Sequence, residues 1–131
     1  MRLTADTNVL VRALVQDDKR QAARAAKALN EARLIAVALT SLCELVWVLR
    51  RVYGFGAADA ASALRALLSA PNVATNRPAV EAGLAVLEAG GDFADGVIAY
   101  EGRWLGGETF ISFDKQAVAL LTAQGQSARL L

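Results

Sequence analysis

The chain has 131 residues, of which 55% are hydrophobic, with 14 basic and 13 acidic side chains, one cysteine and no histidine. That size suits one compact domain with a large core, while no apolar run approaches the roughly 18–20 residues needed to cross a bilayer and the start "MRLTADTNVL" lacks the apolar stretch of a secretory signal. A net charge of +1 gives no strongly basic footprint, and the missing histidine excludes a Ser-His-Asp triad, a Cys-His pair and histidine–zinc chemistry.

The lone Cys43 precludes an intramolecular disulfide, in keeping with a reducing cytoplasm. Charged residues make up 21% of the chain, slightly below a typical soluble domain, which points to further apolar burial at a dimer or partner interface. Whatever chemistry the protein performs must come from carboxylates, hydroxyls, Lys/Arg or Cys43.

In chain order, "RLTA" (Arg2–Ala5) reads as a strand, and "DTN" supplies capping residues for a helix over Val9–Val15. The alanine-rich Asp17–Ala32 reads as a helix that begins with acids, and Arg33–Val37 as a second strand. "TSLCELVWVLRRVYG" predicts a helix capped by Thr40 or Ser41 and ended by Gly54. Ala57–Ala70 has helical spacing and stops before Pro71; a brief strand over Asn72–Ala74 follows. Arg77–Gly90 is a helix with proline in its first turn and a glycine stop. The helix after Asp92 ends near Gly106–Gly107. Glu108–Ser112 is a strand, Asp114–Gly125 a helix and "ARLL" a last strand. Short strands alternating with helices predict an α/β domain with a mainly parallel central sheet, in which sites gather beyond the carboxyl ends of the strands.

Four acids stand out against that frame. Asp6 follows the first strand, where a helix cap is the ordinary explanation. Glu44 lies in the apolar string "LCELVWVL". If buried it needs a cation, a hydrogen-bonding network or a cleft; the alternative is a first-turn glutamate facing the helix dipole. Asp95, with Asp92 one turn before it, falls at a helix start, and Asp114 is placed to cap the last helix. If the ends of these elements converge, Asp6, Glu44, Asp95 and Asp114 share one cleft. Close carboxylates raise one another's pKa values unless a cation compensates. An all-oxygen donor set favours Mg²⁺ or Mn²⁺, and such an ion can activate water and stabilise charge on a phosphodiester.

The same residues resemble PIN-domain ribonucleases, especially the VapC toxins of bacterial and archaeal toxin–antitoxin pairs. "LTADTNVLVRAL" is similar to the family's opening strand with its Asp-Thr/Ser-Asn motif. "TSLCELVWVLRRVYG" resembles its glutamate helix, "DFADGVIAYEGRWLG" its third-acid helix, and "TFISFDKQA" the segment with the fourth acid. Four such motifs in order span nearly the whole chain. The resemblance implies a three-layer α/β/α PIN-like domain over residues 1–131 and a Mg²⁺- or Mn²⁺-dependent endoribonuclease. Asp6, Glu44, Asp95 and Asp114 would be its catalytic and metal-binding acids, with Thr7, Asn8 and Ser112 in support. The family's Asp-x-x-Ile-Ala pattern falls on Asp95, leaving Asp92 either a supporting acid or a helix cap. Gly96 stands where the pattern has a larger helix former, a change expected to loosen the helix.

Arg12, Arg50, Arg51, Arg103 and Lys115 are candidate phosphate contacts. Trp47, Trp104 and Tyr100 are expected to pack in the core or an interface rather than stack on bases. The implied partners are an RNA substrate, a small cognate antitoxin and a second copy of the chain. Two other readings use the same acids: a degenerate PIN domain that only binds RNA or protein, and an aspartyl-phosphate domain. "DTN" lacks the second acid of a dehalogenase-like Asp-x-Asp, which disfavours the latter.

Overall fold

In the computed structural model, which describes Met1–Leu131, the chain divides into two compact units, Met1–Asn76 and Arg77–Leu131. The first unit contains β1 (Arg2–Thr4), α1 (Thr7–Val15), α2 (Lys19–Glu31), β2 (Leu34–Ala36), α3 (Leu39–Arg51), α4 (Ala57–Leu68) and β3 (Val73–Ala74). Its strands form a parallel sheet in the order β1-β2-β3, with Leu3 opposite Ile35 and Ile35 opposite Val73. Two helices separate each strand from the next, which supplies the long crossover that parallel pairing requires. The ladder continues past the strands through the Ala5 N–H to the Ala36 carbonyl (3.1 Å) and the Val37 N–H to the Ala74 carbonyl (2.9 Å).

Leu10, Ile35, Leu42, Leu45, Leu49 and Leu64 are fully buried and build this unit's core. The buried positions of α2 are Ala22 and Ala25, small enough to let α1 pack closely on that helix. Asp18 caps α2 by accepting the Gln21 N–H at 3.0 Å, so the helix starts at Lys19 rather than at Asp17. The cap expected for α3 is not the one used. That helix begins at Leu39 with Ala38 in the cap position and no side-chain cap bond. Val37 is still buried and tied to β3, and the chain enters the helix directly after it, which leaves Thr40 and Ser41 already inside the first turn. Gly54, with φ +71, turns the chain beyond the helix end at Arg51.

The second unit contains α5 (Arg77–Glu88), α6 (Phe93–Trp104), β4 (Phe110–Ser112), α7 (Lys115–Ala123) and β5 (Ala128–Leu130). β4 and β5 pair in parallel across α7, with Phe110 opposite Ala128 and Ser112 opposite Leu130. Val80, Leu84, Leu87, Phe93, Val97 and Leu121 form the core. The α5–α6 contact depends on two glycines. A Cβ on Gly83 would lie 2.7 Å from the Phe93 ring, and one on Gly96 would lie 2.3 Å from the Ala82 carbonyl oxygen. The expectation that Gly96 loosens its helix is therefore corrected: the missing side chain lets α6 lie against the α5 backbone. At its other end α6 closes with Gly106 at φ +102 and a bond from the Gly107 N–H to the Gly102 carbonyl (2.8 Å), the geometry of a glycine-based helix stop.

Candidate functional site

In the first unit, Asp6 caps α1 at the carboxyl end of β1, and its Oδ1 accepts the Thr7 N–H at 2.8 Å. The side chain is exposed, and Oδ2 remains open to another partner. Thr7 is 8% exposed, yet its Oγ1 has no hydrogen-bond partner, an unrelieved oxygen directly beside Asp6. Asn8 is exposed.

Glu44 departs from both environments considered for it. It is exposed and lies in the second turn of α3, beyond the first-turn dipole position. The 3.6-residue period is the reason: Leu42, Leu45, Val46 and Leu49 face inward, while Glu44 and Trp47 share the outward face. An apolar string on a helix need not surround its one acid.

Arg12 is engaged within the unit. Its Nε donates to Gln21 Oε1 (2.6 Å) and its Nη1 to Asp17 Oδ1 (3.0 Å), while the Tyr53 hydroxyl donates to Asp17 Oδ2 (2.9 Å). The Tyr53 hydrogen bond, followed by the Arg12 charge, holds the Asp17 carboxyl below its usual range. Nothing in the local sequence announced this tie, because Tyr53 stands 36 residues from Asp17. Arg50 and Arg51 close the last turn of α3, where their charges suit the helix carboxyl end.

The second unit separates the roles of its three aspartates. Asp92 is the N-cap of α6 and accepts the Ala94 N–H at 3.2 Å. Asp114 is the N-cap of α7; its Oδ1 accepts the N–H groups of Gln116 (2.9 Å) and Ala117 (3.2 Å). Ser112 Oγ accepts the Asp114 N–H at 2.9 Å, which fixes the turn leading into that cap. Asp95 is half-buried and caps nothing. Burial raises its pKa above the ordinary aspartate value, and the negative charges of Asp92 and Asp114 raise it further. Three carboxylates of this unit thus act in one another's field, with Asp95 the one whose charge is least relieved. Lys115, next to Asp114, is exposed.

The donor chemistry fits a hard divalent cation, since every candidate ligand is an oxygen and Asp95 carries charge that a cation would relieve. Within neither unit taken by itself do three acidic or cysteine side chains stand close enough together to hold an ion. Of the two environments expected for Trp47 and Trp104, core or interface, the core is not the one they occupy. They are 60% and 76% exposed, on the outer faces of α3 and α6.

The family profile described as PIN domain matches residues 4–120, a span that includes Asp6, Glu44, Asp95 and Asp114. Seven helices and uniformly parallel strand pairs agree with the α/β class of that profile, consistent with the three-layer α/β/α arrangement expected. No curated protein matches the chain.

Proposed function

Since the chain belongs to the PIN domain family, whose members are generally metal-dependent nucleases, we propose that it is an endoribonuclease using Mg²⁺ or Mn²⁺. The observation that carries this reading is the half-buried Asp95 carboxylate, whose charge is destabilised by burial and then by Asp92 and Asp114, in a chain without histidine. Asp6, Glu44, Asp95 and Asp114 are the residues that would hold the ion. Bound to them, it would supply Lewis acidity toward the phosphodiester and lower the pKa of water.

The chain's own groups do the rest. Asp95 gives a carboxylate not spent on capping, and Asp6 gives its free Oδ2. Asp92 and Asp114 hold the starts of α6 and α7 in place while adding negative charge. Thr7, next to Asp6, adds a buried hydroxyl oxygen with no hydrogen-bond partner, and Asn8 follows it. Arg50, Arg51 and Lys115 are candidates for phosphate contacts; the bonds of Arg12 give that residue a structural task first.

The finer assignment is a VapC-like toxin with a small antitoxin, acting as a homodimer in the cytoplasm. It rests on the resemblance of the four motifs and on exposed apolar side chains, Trp47, Leu105 and Phe113 among them, that suit partner surfaces. No helix is long and apolar enough to cross a membrane. A short reading frame beside the gene, encoding a DNA-binding antitoxin, would support the toxin assignment.

Purified protein should cleave a structured RNA with Mg²⁺ or Mn²⁺, stop in EDTA, and lose activity with Asp6→Asn or Asp95→Asn. Cleavage that persists in EDTA, or in both variants, removes the carboxylate–metal mechanism. The competing reading is a PIN domain that binds RNA without cutting it, and the presence of all four acids counts against it. RNA binding indifferent to the acid substitutions, with no cleavage under any divalent ion, selects that reading instead.

A further inference from the structure

The acids leave one concave feature of the second unit without a task. A cleft of about 430 Å³ opens at the amino ends of β4 and β5, lined among others by Ile98, Gly102, Arg103, Thr109, Phe110 and Gln126. Small-ligand sites run from roughly 300 to 1,000 Å³. Gly102 is the first unusual part. Glycine weakens a helix interior, and Gly96 in the same helix is explained by its collision-free fit on Ala82. A Cβ on Gly102 would meet nothing within 4 Å. No neighbour in the chain requires that glycine, and its bare backbone keeps the cleft wall open.

The lining chemistry narrows the occupant. Ile98 and Phe110 supply apolar surface. Arg103 Nη1 donates to Gln126 Oε1, which leaves the Gln126 amide N–H groups free to donate. Thr109 Oγ1 and Ser127 Oγ lie 2.9 Å apart, so one donates to the other and the second hydroxyl proton is available. Glu108 adds an acceptor. Apolar faces combined with a mixed donor–acceptor edge match a nucleobase. A phosphate would meet Glu108, and an aliphatic protein side chain would leave the polar edge unused.

Placement connects the cleft with the acids of the same unit. Asp95, Ile98, Ala99 and Gly102 recur at i, i+3, i+4 and i+7, one stripe along α6. Seven residues of helix set Asp95 and Gly102 about 10 Å apart along the axis. Beside the stripe, the Arg103 guanidinium lies 5.7 Å from the Tyr100 ring centroid, and Trp104 Nε1 donates to the Tyr100 hydroxyl at 2.9 Å. Arg103 borders both the cleft and this exposed aromatic shelf.

We propose that the cleft is a nucleobase subsite, which takes one unstacked base of a single-stranded RNA whose backbone runs past Asp95. The Gln126 amide and the Thr109–Ser127 hydroxyl pair read the base edge, and Gly102 provides the room. This rests on the nuclease reading for its substrate, but its test does not need cleavage. ¹⁵N-labelled protein in EDTA is titrated with single-stranded hexaribonucleotides that differ in one base, following the amides of Gly102, Gly107, Gly125 and Ser127. Saturable shifts at these amides are expected, stronger for some bases than others. Gly102→Met, which fills the cleft, and Thr109→Val, which removes one edge hydroxyl while keeping shape, should each weaken them by about tenfold, the scale of one stacked base. Where wild type cleaves, Gly102→Met should raise KM more than it lowers kcat.

Absence of saturable shifts with every hexamer, or equal shifts in both variants, overturns the proposal. So do shifts that follow protein concentration alone, which would assign the cleft to a protein–protein contact. Cleft shifts in a protein that cuts no RNA retain the subsite and remove the nuclease reading; cleavage without cleft shifts does the reverse.

Discussion

The Asp95 carboxylate accepts no hydrogen bond, and its burial together with the charges of Asp92 and Asp114 makes it hold a proton more tightly than an ordinary aspartate. Between the unfolded value of 3.8 and the raised folded value, the native state binds more protons than the unfolded chain. Metal-free stability therefore falls as pH rises through that window. Asp95→Asn should raise the melting temperature in EDTA at pH 7, and the advantage should vanish as pH falls to the ordinary aspartate value. Asp17 has the opposite sign, because its depressed pKa contributes stability above 3.8 that is lost on further acidification. Function divides the neighbouring pair differently. Asparagine still caps a helix, so Asp92→Asn should reduce cleavage by less than about tenfold. Asp95→Asn should reduce it beyond the roughly 10–100-fold cost of losing a group that merely supports a metal ligand. Equal losses in the two variants would place Asp92 among the ligands.

Helix α6 carries the acid and the proposed base subsite, and its two interior glycines predict opposite outcomes. Alanine at either position gains roughly 1 kcal/mol of helix propensity over glycine. At Gly96 the added Cβ would lie 2.3 Å from the Ala82 carbonyl, and such overpacking costs about 1–3 kcal/mol. Gly96→Ala should thus lower the melting temperature, whereas Gly102→Ala, whose Cβ meets nothing, should raise it. Thermal unfolding of the two variants against wild type checks the pair, and two shifts of equal sign would contradict this account of α5–α6 packing. The order of elements was legible in the sequence because strand, cap and glycine-stop signals are local: the strands expected over Arg2–Ala5 and Glu108–Ser112 form over Arg2–Thr4 and Phe110–Ser112, and the Gly106–Gly107 stop falls where expected. The cap of α3 was not, since the burial of Val37 against β3 outweighed the preference for Thr40 or Ser41. Gly96 read as a flaw because the partner backbone that needs it lies on α5.

For the molecule as a whole, the family was readable from four acid-bearing motifs in order, and the family match spans residues 4–120. The environments of those acids were not readable. Glu44 was judged by its sequence neighbours, but exposure follows helix phase. The hydroxyl pair of Thr109 and Ser127 depends on tertiary placement that no local string encodes. A divalent ion that binds only the native acids should raise stability by RT ln(1 + [L]/Kd), about 2.7 kcal/mol at one hundred times Kd. That gain should disappear in Asp95→Asn. A sulfur-substituted RNA probes the ion and the phosphate together. With a phosphorothioate at the scissile position, cleavage should be slow in Mg²⁺ and restored in Mn²⁺, which tolerates the softer sulfur better. Equal cleavage of the oxygen and sulfur substrates in both ions, or in EDTA, would contradict an acid-held metal acting on the phosphodiester.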